Sequence, residues 1–272
     1  MSPTRLIVAL GALAAPLPAG GQSRPIADNS FLIEEAYNQE PGVVQHISTF
    51  LKLRHTDAWA YTFTQEWPLF SQQSQLSFTL PVQRLPNGSS VATGLGDMAV
   101  NYRYQLLGPD GRLAAAPRLS VLLPTGDRDA GLGAGGLGLQ ANLPVSVPVT
   151  GRIGTHWNVG LTVIPSARNA VGDEAATTGY NLGASVVWLL RPAFNLLLEV
   201  AWTSSATVIG PGTTARSDAL LLSPGIRWAH NFSGGLQIVP GIAVPIGVGR
   251  SPGDDAVFFY LSFEHPFRRP EH

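Results

Sequence analysis

Charged side chains at alternate positions of apolar segments are the residues of this sequence that could do chemistry. Ionisable groups at membrane depth are costly unless they line water or pair with one another. A ring of such charges can select the ions that pass a pore, whereas opposite charges that pair would close it. Asp97 shares this parity but lies near a turn. We take the other seven as candidate lumen-lining residues: Lys52, Glu66, Arg103, Arg118, Glu199, Arg227 and Glu264.

A glycine-rich stretch from Gly131 to Gly136 matches a dinucleotide-binding fingerprint by its letters. The mechanism of that fingerprint requires a helix N-terminus that holds the pyrophosphate. Pro144 and Pro148 follow closely, so no helix is expected there. We therefore interpret the stretch as an external loop, and we expect no cofactor.

Histidines and acidic pairs give no pattern typical of catalysis or metal binding. The six histidines form no helical i, i+4 pair and have no carboxylate at metal-ligand spacing. Cysteine and the Gly-x-Ser-x-Gly elbow are absent. Glu34 and Glu35 are adjacent, and on an extended segment they would point to opposite faces, so we interpret them as a solvated pair. We expect no enzymatic activity.

The composition favours short strands over helices. Of 272 residues, 44% are hydrophobic and only 13% are charged, against about a quarter in a typical soluble domain. Beyond the first twenty residues, no run of 18 apolar residues predicts a membrane helix. The 30 glycines and 22 prolines disfavour long helices. A net charge of −1 offers no basic patch, so we expect no nucleic-acid partner.

The N-terminal residues are typical of an export signal. Arg5 precedes an apolar run from Leu6 to Ala15, and small residues follow at 19–21. We predict a signal peptide over residues 1–21. Residues 22–42 are less regular and acidic, and they could form a periplasmic extension or a segment that lines a barrel.

Apolar residues recur at every second position along most of the remaining chain. Tyr61 and Phe63 alternate with Thr62 and Thr64, for example, and the pattern continues to Phe267. A transmembrane β-strand needs this alternation, with one face toward lipid and one toward the lumen. A soluble sandwich also alternates, but its outer faces normally carry more charge. The sequence therefore predicts an all-β fold: an antiparallel up-and-down transmembrane barrel of about twelve strands over residues 43–267, with a tail at 268–272.

The connections alternate between short and long, as in outer-membrane barrels with short periplasmic turns and longer external loops. The long ones are predicted at 84–93, 125–135, 165–178, 204–218 and 249–254. Both termini should then be periplasmic. Tryptophans near strand ends suit interfacial girdles. Inside the barrel, Phe258 and Tyr260 would obstruct the lumen, whereas Gly183 and Gly241 would widen it.

Four short motifs carry a family resemblance: residues 34–40 (EEAYNQE), 65–68 (QEWP), 94–97 (GLGD) and 124–127 (PTGD). They resemble outer-membrane proteins of the family named after the phenol meta-degradation pathway. The resemblance implies a barrel in the Gram-negative outer membrane that transports small molecules, with aromatic or hydrophobic solutes as candidates. One departure is the C-terminus, where such barrels commonly end on an aromatic residue, because five residues follow Phe267 here.

Two classes of function remain open from the sequence. The first is a porin-like channel or transporter for small solutes. The second is a closed structural or interaction barrel, and an outer-leaflet lipid-modifying enzyme is a further alternative. A barrel of about twelve strands has a bore of intermediate width, between those of filled eight-stranded barrels and open sixteen-stranded porins. This width permits either class. Expected partners are outer-membrane lipid, the barrel-assembly machinery and a small-molecule solute.

Overall fold

The structure is a computed structural model that describes residues 26, 29–87, 90–108, 111–249, 251 and 253–267. The predicted signal peptide and the 268–272 tail lie outside the described residues. Among the residues described, no helix has the length and apolar character needed to cross a membrane.

In the described part of the chain, regular structure consists of β-strand segments. They are β1 (Val43–Leu53), β2 (Trp59–Leu69), β3 (Ser71–Asn87), β4 (Ser90–Leu95), β5 (Met98–Tyr104), β6 (Ala114–Ala115), β7 (Arg118–Leu123), β8 (Gly138–Thr150), β9 (Ile153–Arg168), β10 (Glu174–Arg191), β11 (Phe194–Gly210), β12 (Thr213–Trp228), β13 (His230–Asn231), β14 (Gln237–Ala243), β15 (Ile246–Gly247) and β16 (Ala256–Pro266).

These segments form a closed antiparallel barrel. The pairs β4 and β5, β6 and β7, and β14 and β15 each make one interrupted strand along β3, β8 and β12 respectively, and β13 extends β12. The barrel closes where β1 pairs with β16, from Val43 opposite Pro266 to Leu53 opposite Ala256. The described residues thus form twelve barrel strands, and the predicted fold and strand number are confirmed.

The two faces of the wall follow the predicted alternation. On β5, Val100 and Tyr102 are 39% and 40% exposed on the outer surface, whereas Asn101 and Arg103 are each 4% exposed and face inward. Successive side chains of a strand point to opposite faces, so one register fixes both surfaces. On this strand the outer face is apolar and the inner face is polar.

The two ends of the barrel differ. We call the end that contains the short connections at 151–152 and 192–193 the turn end, and the opposite end the loop end. Three predicted long loops are largely strand: β3 and β4 leave only 88–89 between them, β9 and β10 leave only 169–173, and β11 and β12 leave only Pro211 and Gly212. Thr and Val continue the pairing beyond the expected strand ends, since β-branched residues suit strands. Gly212, with a φ of 64°, allows the tight turn.

Candidate functional site

The described residues that precede β1 lie inside the barrel. Residues 29–42, which we call the inner segment, contact inward-facing side chains of strands on several sides of the lumen. Ile26 also belongs to a buried cluster with Val187, Leu197 and Val239 of the barrel wall. The site is therefore the lumen together with the segment that partly fills it.

Glu199 of β11 binds the tip of the inner segment. Its fully buried carboxylate accepts hydrogen bonds from the backbone N–H groups of Phe31, Leu32 and Ile33, at 3.1 to 3.2 Å. Three consecutive amides that converge on one anion form a concave binding arrangement. A carboxylate in this low-dielectric interior is thus compensated by backbone rather than exposed to passing solutes.

Arg227 and His156 hold Glu35. Arg227 Nη2 lies 3.1 Å from Glu35 Oε1, and His156 Nε2 lies 3.8 Å from Glu35 Oε2. Ser146 Oγ lies 2.7 Å from His156 Nδ1, so the side chains have the types of a Ser-His-acid set. Ser146 Oγ also accepts the Ala36 N–H at 2.8 Å, and all three side chains are buried. The group secures the inner segment, and it lines neither of the cavities described below.

Glu34 points the other way and pairs with Arg118. Arg118 Nη2 lies 2.6 Å from Glu34 Oε1, and Arg118 Nε lies 3.1 Å from Glu34 Oε2, which is a bidentate arrangement. Glu34 and Glu35 do point to opposite faces, as expected on an extended segment. The interpretation as a solvated pair is wrong, because the lumen supplies an arginine on each side.

Arg103 binds the second half of the inner segment. Its Nε donates to Asn38 Oδ1 at 2.8 Å, and its Nη2 donates to the Tyr37 carbonyl at 2.5 Å. The neutral side chains Gln105 and Gln75 add hydrogen bonds to the N–H groups of residues 38 and 39. An arginine that satisfies backbone carbonyls in a buried site positions the chain as well as adding charge.

Three glycines admit the inner segment to the lumen. A Cβ on Gly183 would overlap Ile33, and Cβ atoms on Gly225 and Gly241 would come within 2.6 and 2.5 Å of the Phe31 ring. Gly183 and Gly241 were expected to widen the lumen. They instead provide space that Ile33 and Phe31 fill, because a glycine has no side chain and so lets the inner segment approach the strand closely.

Of the remaining candidates, Glu66 and Glu264 both lie beside Gln45 of β1, whereas Lys52 lies farther along the barrel. Glu66 is buried, accepts a hydrogen bond from Gln75 Nε2 at 2.7 Å, and lies 3.9 Å from Arg103. Glu264 accepts a hydrogen bond from Gln39 Nε2. Lys52 lies at the loop end, where its exposed Nζ donates to the Thr56 carbonyl. The structure therefore brings all the candidates except Lys52 to the inner segment or its immediate neighbours.

Asp97 fastens the connection 124–137 at the loop end. Its carboxylate accepts the N–H groups of Gly126 at 2.9 Å and Ala134 at 2.7 Å. Leu132, at the centre of this connection, is buried. The glycine-rich stretch is thus a loop, as expected, and it is pinned to the barrel by the aspartate of one family-like motif and the glycine of another.

Among the cavities that the described residues form in the lumen, two bear on function. The first, of about 190 Å³, is lined by both charged and apolar groups: residues 29–34, Ile47, Thr49, Thr64, Glu66, Gln75, Ser77, Thr79, Asn101, Arg103, Arg118 and Tyr260. The second, of about 240 Å³, is lined mainly by neutral polar groups on the inward faces of β8 to β11, including Gln140, Thr162, Asn181 and Thr203. Gln140 accepts a hydrogen bond from Arg118 at 3.0 Å, so the two cavities adjoin at this contact.

Sequence reasoning missed the neutral partners of the inner segment. Ser146, Asn158 and Gln105 each bind its backbone. The alternating pattern predicts that these side chains face inward, but neutral polar residues face inward throughout the barrel. Only the excess of amide side chains near the turn end could have indicated a bound chain.

Comparison with known proteins gives a likeness of fold. No family model and no curated protein matches the sequence. An outer membrane channel from Pseudomonas putida F1 superimposes with a TM-score of 0.62 at 12% identity, over 85% of this chain and 97% of that one. The NanC porin superimposes with a TM-score of 0.52 at 9% identity, over 83% of this chain and all of that one. These likenesses show that the chain shares the β-barrel fold of these two proteins.

Proposed function

We propose that this chain is a channel of the Gram-negative outer membrane through which small solutes pass beside the inner segment. One observation carries the proposal: a cavity of about 190 Å³, lined by charged, neutral polar and apolar groups, lies between the inner segment and the wall formed mainly by β1, β2, β3, β5 and β7. A closed barrel would gain stability by filling this space, since close packing is the rule in protein interiors. The channel or porin names of the solved structures similar in fold agree with this function.

The cavity favours anionic solutes in this proposal. Of the charged groups that line it, Arg103, Arg118 and Glu66 belong to the barrel wall and Glu34 to the inner segment, so the wall itself contributes two cations and one anion. Arg118 is held by wall residues as well as by Glu34, whereas Arg227 and Glu199 are bound to the inner segment away from the cavity. We therefore assign selectivity to Arg118 and Arg103 rather than to all four central charges.

Planar-bilayer recording of the refolded protein tests this function. We expect the wild type to conduct, with a reversal potential in a salt gradient that indicates anion preference. Arg118→Gln should shift that potential toward cations, because a charge in a low-dielectric wall acts strongly on passing ions. Glu199→Gln is the matched comparison, and it should alter the stability of the conducting state more than its selectivity.

The competing function is a closed structural or interaction barrel. It is favoured by the same inner segment, which is joined to the barrel by buried ion pairs and hydrogen bonds on several sides. A silent wild type that conducts only after Glu199→Gln would support this alternative. A conducting wild type whose reversal potential ignores Arg118→Gln would contradict the assignment of the permeation path.

The solute class follows from the apolar part of the cavity. Phe31, Ile47 and Tyr260 lie among its lining residues, and the Phe31 and Tyr260 rings are 5.5 Å apart. Its volume is below the range of about 300 to 1,000 Å³ typical of drug-sized ligands. We therefore propose small solutes with an apolar or aromatic body, which agrees with the solutes implied by the family resemblance.

A further inference from the structure

The carboxylate of Glu34 is held as a bound ligand would be. Two nitrogen atoms of Arg118 contact its two oxygens at 2.6 and 3.1 Å, and Asn142 Nδ2 donates to Oε1 at 3.1 Å. The planar fork of arginine matches a carboxylate in this geometry, which a lysine ammonium cannot reproduce. The group that occupies these donors belongs to the inner segment, not to the barrel wall.

Arg118 also has hydrogen-bond partners in the wall that do not involve Glu34. Its Nη1 donates to Asn101 Oδ1 at 3.0 Å and to Ser120 Oγ at 2.6 Å, and its Nη2 also donates to Gln140 Oε1 at 3.0 Å. These three acceptors come from β5, β7 and β8 of the wall. The guanidinium is therefore preorganised, and removal of the Glu34 carboxylate would leave a formed anion site.

The site lies where a solute would reach it. Glu34 and Arg118 both line the first cavity, and Gln140 lines the second. The first cavity also contains the apolar side chains of Phe31, Ile47 and Tyr260. An acid whose carboxylate replaced that of Glu34 could thus place its apolar body in the same cavity.

We propose that Arg118 and Asn142 form a binding site for the carboxylate of a small acid with an apolar body, and that Glu34 is its internal occupant. The solute displaces Glu34 and takes over its hydrogen bonds to Arg118 and Asn142. Because one carboxylate replaces another, net binding is weak, as passage requires. The physiological role of this site rests on the proposed channel function, but binding can be measured without conduction.

Removal of the internal competitor should strengthen binding. A tethered group competes at an effective concentration in the millimolar range or above. We therefore expect Glu34→Gln to bind benzoate at least tenfold more tightly than the wild type. Glu35→Gln is the matched control, because it removes a neighbouring negative charge from the same segment but leaves Arg118 occupied.

Isothermal titration of the full refolded barrel in detergent provides the measurement, with benzoate as the probe and benzamide as its neutral analogue. We expect benzoate binding to Glu34→Gln, no benzamide binding, and loss of benzoate binding when Arg118→Gln is added. Arg118→Lys in the same background should also bind weakly, because it keeps the charge but not the fork. Heat-modifiable mobility in electrophoresis checks that each variant is folded.

Equal gains from Glu34→Gln and Glu35→Gln would overturn the proposal, because the lumen would then respond only to net charge. Benzoate binding that survives Arg118→Gln in a folded protein would also overturn it. Binding to Glu34→Gln by a protein that never conducts would support the site while contradicting the channel. A conducting wild type whose Glu34→Gln variant binds no benzoate would contradict the site and leave the channel standing.

Discussion

Two walls of the lumen contact the inner segment in different ways. The packed wall, formed by β10, β11, β12 and β14, receives Phe31 and Ile33 against Gly183, Gly225 and Gly241. The cavity wall, formed by β1, β2, β3, β5 and β7, binds the segment through Arg103 and Arg118, but its hydroxyl and amide side chains also line a space of about 190 Å³. One wall fixes the segment through close contact, and the other leaves room beside it.

The difference shows how a barrel of this size can hold a chain inside and still leave a path. Glycines in the packed wall leave space that Phe31 and Ile33 fill, so the segment packs closely against this side of the lumen. On the cavity wall, Thr49 and Thr62 and also Thr64 and Thr79 are joined by hydroxyl contacts of 2.6 and 2.9 Å. Side chains that bond laterally to their neighbours extend less into the lumen.

The largest expected effect breaks the packed wall. Glu199→Ala removes the acceptor of three backbone N–H groups. Each buried unsatisfied donor costs about 1 to 3 kcal/mol. The free energy that holds the inner segment in the lumen should therefore fall by about 3 kcal/mol or more. We expect faster proteolysis within residues 29–42 and larger single-channel conductance.

Ser223→Ala is the control for this change. Ser223 lies opposite Glu199 in the β11–β12 pairing, and its buried hydroxyl has no partner among the described residues. Its removal should leave both protease sensitivity and conductance near wild type. If Glu199→Ala and Ser223→Ala had the same protease sensitivity and conductance, the bonds from the three amides to Glu199 would not be what holds the segment.

The strand pattern was predictable, whereas the seating of the inner segment was not. Alternation along β5 assigned Tyr102 to the exterior and Arg103 to the interior, because the period of a strand is local and needs no partner. The contacts of Glu199 with Leu32 join residues 167 positions apart, and no local pattern encodes them. Alternation also shows only which face of a strand a residue lies on, not its position along the barrel axis. For this reason Lys52 was predicted together with the buried charges.

Glycines illustrate the same limit. Inward parity at Gly241 was readable, and a missing side chain suggested a wider lumen. The Phe31 ring occupies this space. Its position depends on how the inner segment folds, and that segment has no alternating pattern from which the fold could be predicted. The motifs at 94–97 and 124–127 were recognisable as turns, but their joint role in fixing the 124–137 connection through Asp97 required the structure.

A smaller effect is expected from overfilling the packed wall. Gly241→Ala would place a methyl group 2.5 Å from the Phe31 ring, and overpacking of this kind costs about 1 to 3 kcal/mol. Urea unfolding in detergent micelles should show the loss. Phe31→Ala in the same chain should restore much of it, because the ring that clashes is gone. Gly234→Ala, at a turn with no neighbour within 4 Å, should change little.

The smallest expected change in stability comes from adding the same methyl group to the cavity wall. Ser77 lines the cavity, and Asn101 Nδ2 donates to its hydroxyl at 3.2 Å. Ser77→Thr keeps this hydroxyl and adds one carbon to a strand, where a β-branched residue is well tolerated. We expect a change in unfolding free energy of less than about 1 kcal/mol, because the added carbon meets space rather than a packed ring. Conductance should nevertheless fall relative to wild type, since the path that we propose runs past this position. A loss of stability equal to that of Gly241→Ala would show that both walls are packed alike, and unchanged conductance would place the path elsewhere.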